Sequence, residues 1–153
     1  MNIIIVYSSK TGFTKRYAEW IAEELACDTL SFKDFTMEAV RGKGVVIFGT
    51  RIHAGTVEHL NKIKQYFNNT TEQKFIVFAT GGTPNEAESV INNIWANNLS
   101  ETEIKAIPHF YMQSGLNYEK MGFIDKRLMK MAAWFMNKKK NKNDHEAGHA
   151  NAI

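Results

Sequence analysis

Apolar residues along the chain form short runs that alternate with segments of helical periodicity. Five runs have the length and composition of β-strands, and they span residues 2–7, 28–32, 44–48, 74–79 and 107–112. The third and fourth runs are apolar at consecutive positions, which is typical of strands covered on both faces by helices. The pattern therefore predicts a parallel sheet between two helical layers.

Between these runs, apolar residues recur three or four positions apart, as one face of an α-helix requires. The predicted stripes are Ala18-Ile21-Ala22-Leu25, Val57-Leu60-Ile63-Phe67 and Ala87-Val90-Ile91-Ile94. The third of these helices is predicted to begin at Pro84 and Asn85, with Glu86 and Glu88 in its first turn. A last helix is predicted over residues 123–137. Alternating strands and helices indicate a doubly wound α/β domain.

Length and composition are those of one globular domain. The chain has 153 residues, 44% of them hydrophobic, and a net charge of +3. We predict a domain over residues 1–137 and a polar, basic, disordered tail over residues 138–153. The single cysteine, Cys27, is expected to fill a gap between the first helix and the second strand. Without a signal peptide, membrane span or disulfide pattern, a cytoplasmic location is expected.

The segment 8–14, SSKTGFT, joins the first strand to the first helix. It places the hydroxyls of Ser9, Thr11 and Thr14 around Gly12, where a helix start offers unpaired N–H groups to an anion. Neither a Walker pattern nor the dinucleotide G-x-G-x-x-G is present. We interpret the segment as a phosphate-binding loop; the alternative is an ordinary turn whose Ser and Thr side chains cap the helix.

Two further loops follow the third and fourth strands. They cover residues 50–55 and 80–84, and both are rich in small residues and glycine. Ligands of open α/β sheets bind beyond the carboxyl ends of the strands, where the strand order reverses. All three loops are therefore predicted to meet at one ligand site, although plain connecting loops would have a similar composition.

The pattern S-x-T-G-x-T directly after the first strand resembles the phosphate loop of flavodoxins. The resemblance implies the flavodoxin-like strand order 2-1-3-4-5 and an FMN cofactor. It assigns the FMN phosphate to Ser9, Lys10, Thr11, Gly12, Phe13 and Thr14. It assigns the flavin ring to Thr50, Arg51, Ile52, His53, Ala54 and Gly55, and to Thr80, Gly81, Gly82 and Thr83.

Two features differ from those of flavodoxin electron shuttles. The second and third loops contain no aromatic residue besides His53, and the chain is basic rather than acidic. Arg51, and His53 when it is protonated, are expected to tune the flavin by stabilising its reduced anionic form, which suits oxidation of an organic substrate. The alternative is that Arg51 points to solvent.

A more specific resemblance lies in the sequence GTRIHAG at residues 49–55 and in the segments 115–118 and 125–129. Over residues 1–137 the chain is similar to the short, flavodoxin-like protoporphyrinogen oxidases of bacteria. That family's chemistry implies FMN, a porphyrinogen donor, a membrane quinone as acceptor and a place in heme biosynthesis. No catalytic side chain is implied, because the flavin performs the reaction. The family carries an extra loop before the last helix, whereas the link 113–122 here is short.

The C-terminal part carries two further patterns. Six consecutive apolar residues, 131–136, lie among lysines and arginines, which suggests either a helix on an anionic membrane surface or a buried final helix. His145 to His149 match H-E-x-x-H, but Gly148 and the polar surroundings make this a chance match, so no metal site is predicted.

The leading hypothesis is an FMN-dependent oxidoreductase acting on a porphyrinogen-like donor. One alternative is a non-enzymatic electron carrier serving a redox protein, and another is an interaction module that has lost its cofactor. Nucleic-acid binding has little support, because the basic residues crowd one end of the chain without a known reading motif.

Overall fold

The computed structural model describes residues 2–68 and 72–114. Its strands are β1 (Ile3–Tyr7), β2 (Asp28–Ser31), β3 (Val45–His53), β4 (Thr56–Val57), β5 (Lys74–Gly81) and β6 (His109–Gln113). Its α-helices are α1 (Phe13–Leu25), α2 (Leu60–Lys64), α3 (Glu88–Asn98) and α4 (Glu101–Ala106), and a short 3-10 helix covers Phe32–Asp34. The predicted helix 123–137, the tail 138–153, the H-E-x-x-H match and the segments 115–118 and 125–129 lie outside the described residues.

Five parallel strands form the sheet, in the order β2-β1-β3-β5-β6. This is the predicted order 2-1-3-4-5, with the two-residue β4 added antiparallel to the end of β3. The register aligns Tyr7 with Gly49 and Gly49 with Phe78 across the three central strands. The carboxyl ends of β1, β3 and β5 therefore meet at one edge.

Side chains from the central strands are buried on both faces of the sheet, as the continuous apolar runs predict. On one face Ile5 and Ile47 pack with Tyr17 and Ile21 of α1. On the other face the apolar cluster includes Val6, Phe48 and Val77 together with residues of α2 and α3. We call these the α1 face and the α3 face.

The second predicted helix is much shorter in the structure. Val57 belongs to β4 and Phe67 lies beyond the end of α2, although both side chains are buried as expected. The reason is that a hairpin takes up the residues between β3 and Glu58. Only five residues remain helical.

The third predicted helix begins at Glu88 rather than at Pro84. Its buried stripe runs through Ile91 and Trp95, four residues apart, and continues to Leu99. Val90 lies about 100° away from Ile91 around the helix and is 48% exposed. The prediction that Val90 faces the core is therefore wrong.

Helix α4 was not predicted, although its start carries a clear signal. The Ser100 hydroxyl accepts from the Glu103 N–H at 3.1 Å, and the Glu103 carboxylate accepts from the Ser100 N–H at 2.8 Å. This reciprocal capping box is encoded by the S-x-x-E spacing at residues 100–103.

Cys27 packs against the apolar cluster of the α1 face, between α1 and β2, as predicted. Burial raises the pKa of its thiol to about 11, so the side chain behaves as a small apolar group at neutral pH. Within the described ranges, no helix combines the length and apolar character that a membrane crossing requires.

Close packing between β3 and β5 predicts a strong effect at Gly49. A Cβ atom there would lie 2.0 Å from Cζ of the wholly buried Phe78 ring. We expect Gly49→Ala to lower the free energy of unfolding by about 1–3 kcal/mol, measured by urea denaturation. Gly82→Ala is the control, because its Cβ would meet nothing within 4 Å. Equal stability of the two variants would contradict the packing described, whereas partial recovery in Gly49→Ala/Phe78→Leu would support it.

Candidate functional site

Three segments meet beyond the carboxyl ends of β1, β3 and β5. The Ser8 N–H donates to the Gly49 carbonyl at 2.9 Å, which ties the first segment to β3. The Thr14 and Thr80 hydroxyls lie 2.9 Å apart, which ties the start of α1 to the end of β5. The structure thus brings together the three segments that the sequence nominated.

The start of α1 has the features of an anion site. Gly12 is the N-cap residue, with φ of +93°, and the first intrahelical bond runs from the Arg16 N–H to the Gly12 carbonyl at 3.0 Å. The N–H groups of residues 13–15 precede that bond, and no side chain of the described residues caps the helix. A Cβ built on Gly12 would meet nothing within 4 Å, so the space at this turn is open.

The hydroxyls of the first segment have different environments. The Ser9 hydroxyl accepts from the Gly12 N–H at 3.0 Å and keeps its own proton for another acceptor. Thr11 is exposed. Thr14 is buried against Thr80, and because one hydroxyl of this pair donates to the other, one proton of the pair remains for a further acceptor.

The second predicted loop is a β-hairpin. Strand β3 continues through His53, and Ala54 and Gly55 form its two-residue turn with φ of 51° and 78°. Positive φ at both turn positions is the geometry that joins twisted antiparallel strands most directly. The Asn98 side chain of α3 holds the hairpin, since it donates to the Gly55 carbonyl at 2.9 Å and accepts from the Val57 N–H at 3.0 Å.

The hairpin separates the predicted ring-binding residues between the two faces of the sheet. Ile52 packs with the apolar cluster of the α3 face, and strand alternation puts Thr50 on that face too. Thr50 is fully buried, and its hydroxyl has no hydrogen-bond partner among the described residues. Arg51 occupies the α1 face, and His53 is exposed near the hairpin tip. A ligand outside the sheet would therefore meet the Thr50 backbone rather than its side chain.

Arg51 forms an ion pair that the sequence analysis missed. Its Nη2 lies 2.9 Å from Oε1 of Glu58, directly across the hairpin, and the two side chains are 25% and 20% exposed. The hydrogen bond from Arg51 lowers the pKa of the Glu58 carboxyl despite its partial burial, and the same bond raises the pKa of Arg51. The sequence contains both charged residues, but only the hairpin places their side chains next to each other.

The third segment is anchored to β6. The Tyr111 hydroxyl donates to the Thr83 carbonyl at 2.6 Å, and the Ser114 N–H donates to the Gly81 carbonyl at 2.7 Å. A Cβ on Gly81 would lie 3.1 Å from the Tyr111 hydroxyl, so glycine permits this close approach. Burial raises the pKa of Tyr111. The site therefore has a nearby aromatic side chain, which sequence reasoning missed because it belongs to a separate strand.

These residues fit a phosphate monoester. The start of α1 offers N–H groups and hydroxyl protons near open space, Lys10 belongs to the same segment, and Arg51, paired with Glu58, lies on the same face of the sheet. The remaining predicted residues, Gly81, Gly82 and Thr83, offer backbone close to the same edge. The arrangement can bind an anionic group beyond the strand ends.

The matching family model and three similar solved structures are flavodoxins or flavodoxin domains. A family model described as a flavodoxin domain matches residues 4–144. A flavodoxin from the domain Archaea is 18% identical, with a TM-score of 0.55 over 87% of this chain and 97% of its own. Oxidised Flavodoxin 2 from Bacillus cereus is 17% identical, with a TM-score of 0.56 over 90% and 99% of the two chains. A WrbA-like flavodoxin from Agrobacterium tumefaciens is 17% identical, with a TM-score of 0.53; the match covers 86% of this chain and 95% of that one. At these identities the structures establish the fold. No curated protein matches the sequence.

The Thr14–Thr80 contact predicts coupled effects on stability. Thr14→Val and Thr80→Val each leave one buried hydroxyl without its partner, so each should lower the free energy of unfolding by about 1–3 kcal/mol. The double variant should lose less than the sum, by about 1 kcal/mol, in urea denaturation of the ligand-free protein. Thr11→Val is the matched control, since Thr11 is exposed. Strictly additive losses would show that the two hydroxyls do not interact.

Proposed function

This chain belongs to the flavodoxin-domain family, and we propose on that basis that it binds FMN. The observation that carries the proposal is the start of α1, where no side chain within residues 2–68 and 72–114 caps the N–H groups of residues 13–15 and the space around Gly12 is open. A helix start of this kind stabilises a phosphate through its N–H groups and its dipole.

We assign the phosphate to the first segment and the ring to the other two. The N–H groups of Phe13 and Thr14 would donate to phosphate oxygens, together with the hydroxyls of Ser9 and Thr11, while Lys10 would supply positive charge. The backbone of residues 50–55 and 80–83 would line the ring. When bound, FMN would supply the capacity to accept and release electrons.

We further propose an oxidoreductase activity on a porphyrinogen-like donor with a quinone as acceptor. The support is the sequence GTRIHAG, which resembles that of the flavodoxin-like protoporphyrinogen oxidases and forms the hairpin beside the proposed ring site. A quinone acceptor would require contact with a membrane surface, for which the basic, apolar segment 123–137 is the proposed element. The proposed location is therefore the cytoplasmic face of a membrane.

A non-enzymatic electron carrier is the second candidate, and one observation favours it. The Arg51 charge, which by itself would stabilise a reduced flavin anion, is paired with Glu58 at 2.9 Å. A neutral ion pair alters the energy of a nearby anion less than an isolated cation does. The electrostatic reason for preferring an oxidase over a carrier is therefore weaker than the sequence suggested.

The experiment compares the wild-type full chain with Thr11→Val and with Thr102→Val, an exposed threonine of α4 at a distance from the strand ends. We expect wild-type protein to quench the fluorescence of FMN on binding. Loss of the Thr11 hydroxyl should weaken FMN binding about tenfold, because a hydrogen bond to a charged group is worth about 1.5–3 kcal/mol. Thr102→Val should bind as wild type does.

Protoporphyrinogen oxidation with a quinone acceptor is then measured on the same proteins at limiting FMN. We expect turnover by wild type and by Thr102→Val, and a loss in Thr11→Val that parallels its weaker FMN binding. Wild-type protein that does not bind FMN would contradict the cofactor proposal. FMN binding without turnover would contradict the oxidase and favour the electron carrier.

A further inference from the structure

The Arg51–Glu58 pair lies on the same face and edge of the sheet as the start of α1. Arg51 is aligned with Thr80 on the neighbouring strand, and Thr80 contacts Thr14 in the first turn of α1. Because side chains alternate along a strand, Arg51 shares the α1 face with Gly49, whose carbonyl accepts from the Ser8 N–H. Glu58 faces Arg51 across the hairpin and therefore belongs to the same group.

Glu58 lies among positive charges. Its carboxyl pKa is lowered first by the hydrogen bond from Arg51, and the charges of Lys10 and His59 lower it further. One carboxylate is thus placed among cations next to a helix start, where a phosphate would otherwise be favoured. A phosphate bound at this helix start would therefore share the sheet edge with the Glu58 carboxylate and its partner Arg51.

Arg51 does not satisfy all its donors in this arrangement. Its Nε is buried and has no hydrogen-bond partner among the described residues, while Nη2 is taken by Glu58. An unpaired buried donor is unfavourable, and a guanidinium can satisfy two donors at once against a phosphate. Since Nε is buried in this arrangement, a second anion would reach the guanidinium at its terminal nitrogens, one of which Glu58 already occupies, so the two anions would compete.

We propose that Glu58 is a built-in counter-anion, a positioning residue that occupies Arg51 while the phosphate site is empty and lowers the affinity of that site for phosphate esters. The proposal rests on the proposed FMN site for its natural ligand. Glu58 opposes a bound phosphate through like-charge repulsion and through competition for the Arg51 guanidinium. The affinity difference between FMN and riboflavin, which lacks the phosphate, is therefore set partly by Glu58.

The experiment compares Glu58→Gln with Glu103→Gln. Glu103 is a matched control, because it pairs with Lys64 at 2.9 Å with side chains 15% and 17% exposed, and glutamine can keep its capping role. We expect Glu58→Gln to bind FMN about tenfold more tightly than wild type and riboflavin within about twofold of wild type. The gain in FMN affinity of Glu58→Gln over wild type should become smaller as the salt concentration is raised. Glu103→Gln should match wild type with both ligands.

Inorganic phosphate provides a readout that needs no flavin. The rise in melting temperature that phosphate produces should be larger in Glu58→Gln than in wild type or in Glu103→Gln. If the glutamine variant does not fold, Glu58→Ala is tested instead, and we expect the same tighter FMN binding and the same larger rise in melting temperature with phosphate. If FMN fails to bind while this difference for phosphate persists, the flavin proposal fails and the counter-anion stands.

Other outcomes overturn the counter-anion. Weaker FMN binding in Glu58→Gln would mean that Glu58 positions Arg51 in favour of the phosphate. Unchanged binding of both FMN and phosphate would mean that Glu58 has no influence on the site. A wild-type protein that binds neither probe would still support the proposal if Glu58→Gln gains binding, and would overturn it if that variant gains none.

Discussion

The contact between the Thr14 and Thr80 hydroxyls is the interaction on which the site depends. It joins the first turn of α1 to the end of β5 at 2.9 Å, in a buried position where neither hydroxyl can turn to water instead. Gly49 and Phe78 are aligned between β3 and β5, where the Phe78 ring fills the space that a Cβ on Gly49 would need. The helix start held there has no side-chain cap in the part of the chain that the structure describes, and the space at Gly12 is open.

The positive charge at this edge is partly neutralised, although the whole chain carries +3. The hairpin places Glu58 opposite Arg51, so that one of the two cations near the phosphate loop already has an anionic partner. Overall charge therefore says little about the field at a bound flavin, because nearby paired charges dominate over distant ones. The proposed roles as an oxidase or as an electron carrier must be separated by chemistry rather than by net charge.

The strand order and the meeting of the three segments at one edge could be predicted because the signals of the strands and of the first loop are local. Residues 45–48 are apolar at every position, and residues 8–14 carry their hydroxyls and glycine between a strand and a helix. The hairpin could not be predicted, since its turn residues, Ala54 and Gly55, lack the Asn or Asp that usually accompanies this turn. The Arg51–Glu58 ion pair could not be predicted either, because only the hairpin places these two residues opposite each other. The exposure of Val90 follows from how α3 is turned toward the sheet: its buried stripe runs through Ile91 and Trp95, and the apolar pattern alone did not show that Val90 lies outside this stripe.

The most direct test follows the backbone N–H groups of Phe13, Thr14 and Lys15 by ¹⁵N NMR during titration with FMN and, separately, with riboflavin. An anion site at the start of α1 predicts that these three signals move strongly with FMN and stay in place with riboflavin, because only FMN carries the phosphate. Equal movement with both ligands, or movement confined to residues away from the start of α1, would contradict it.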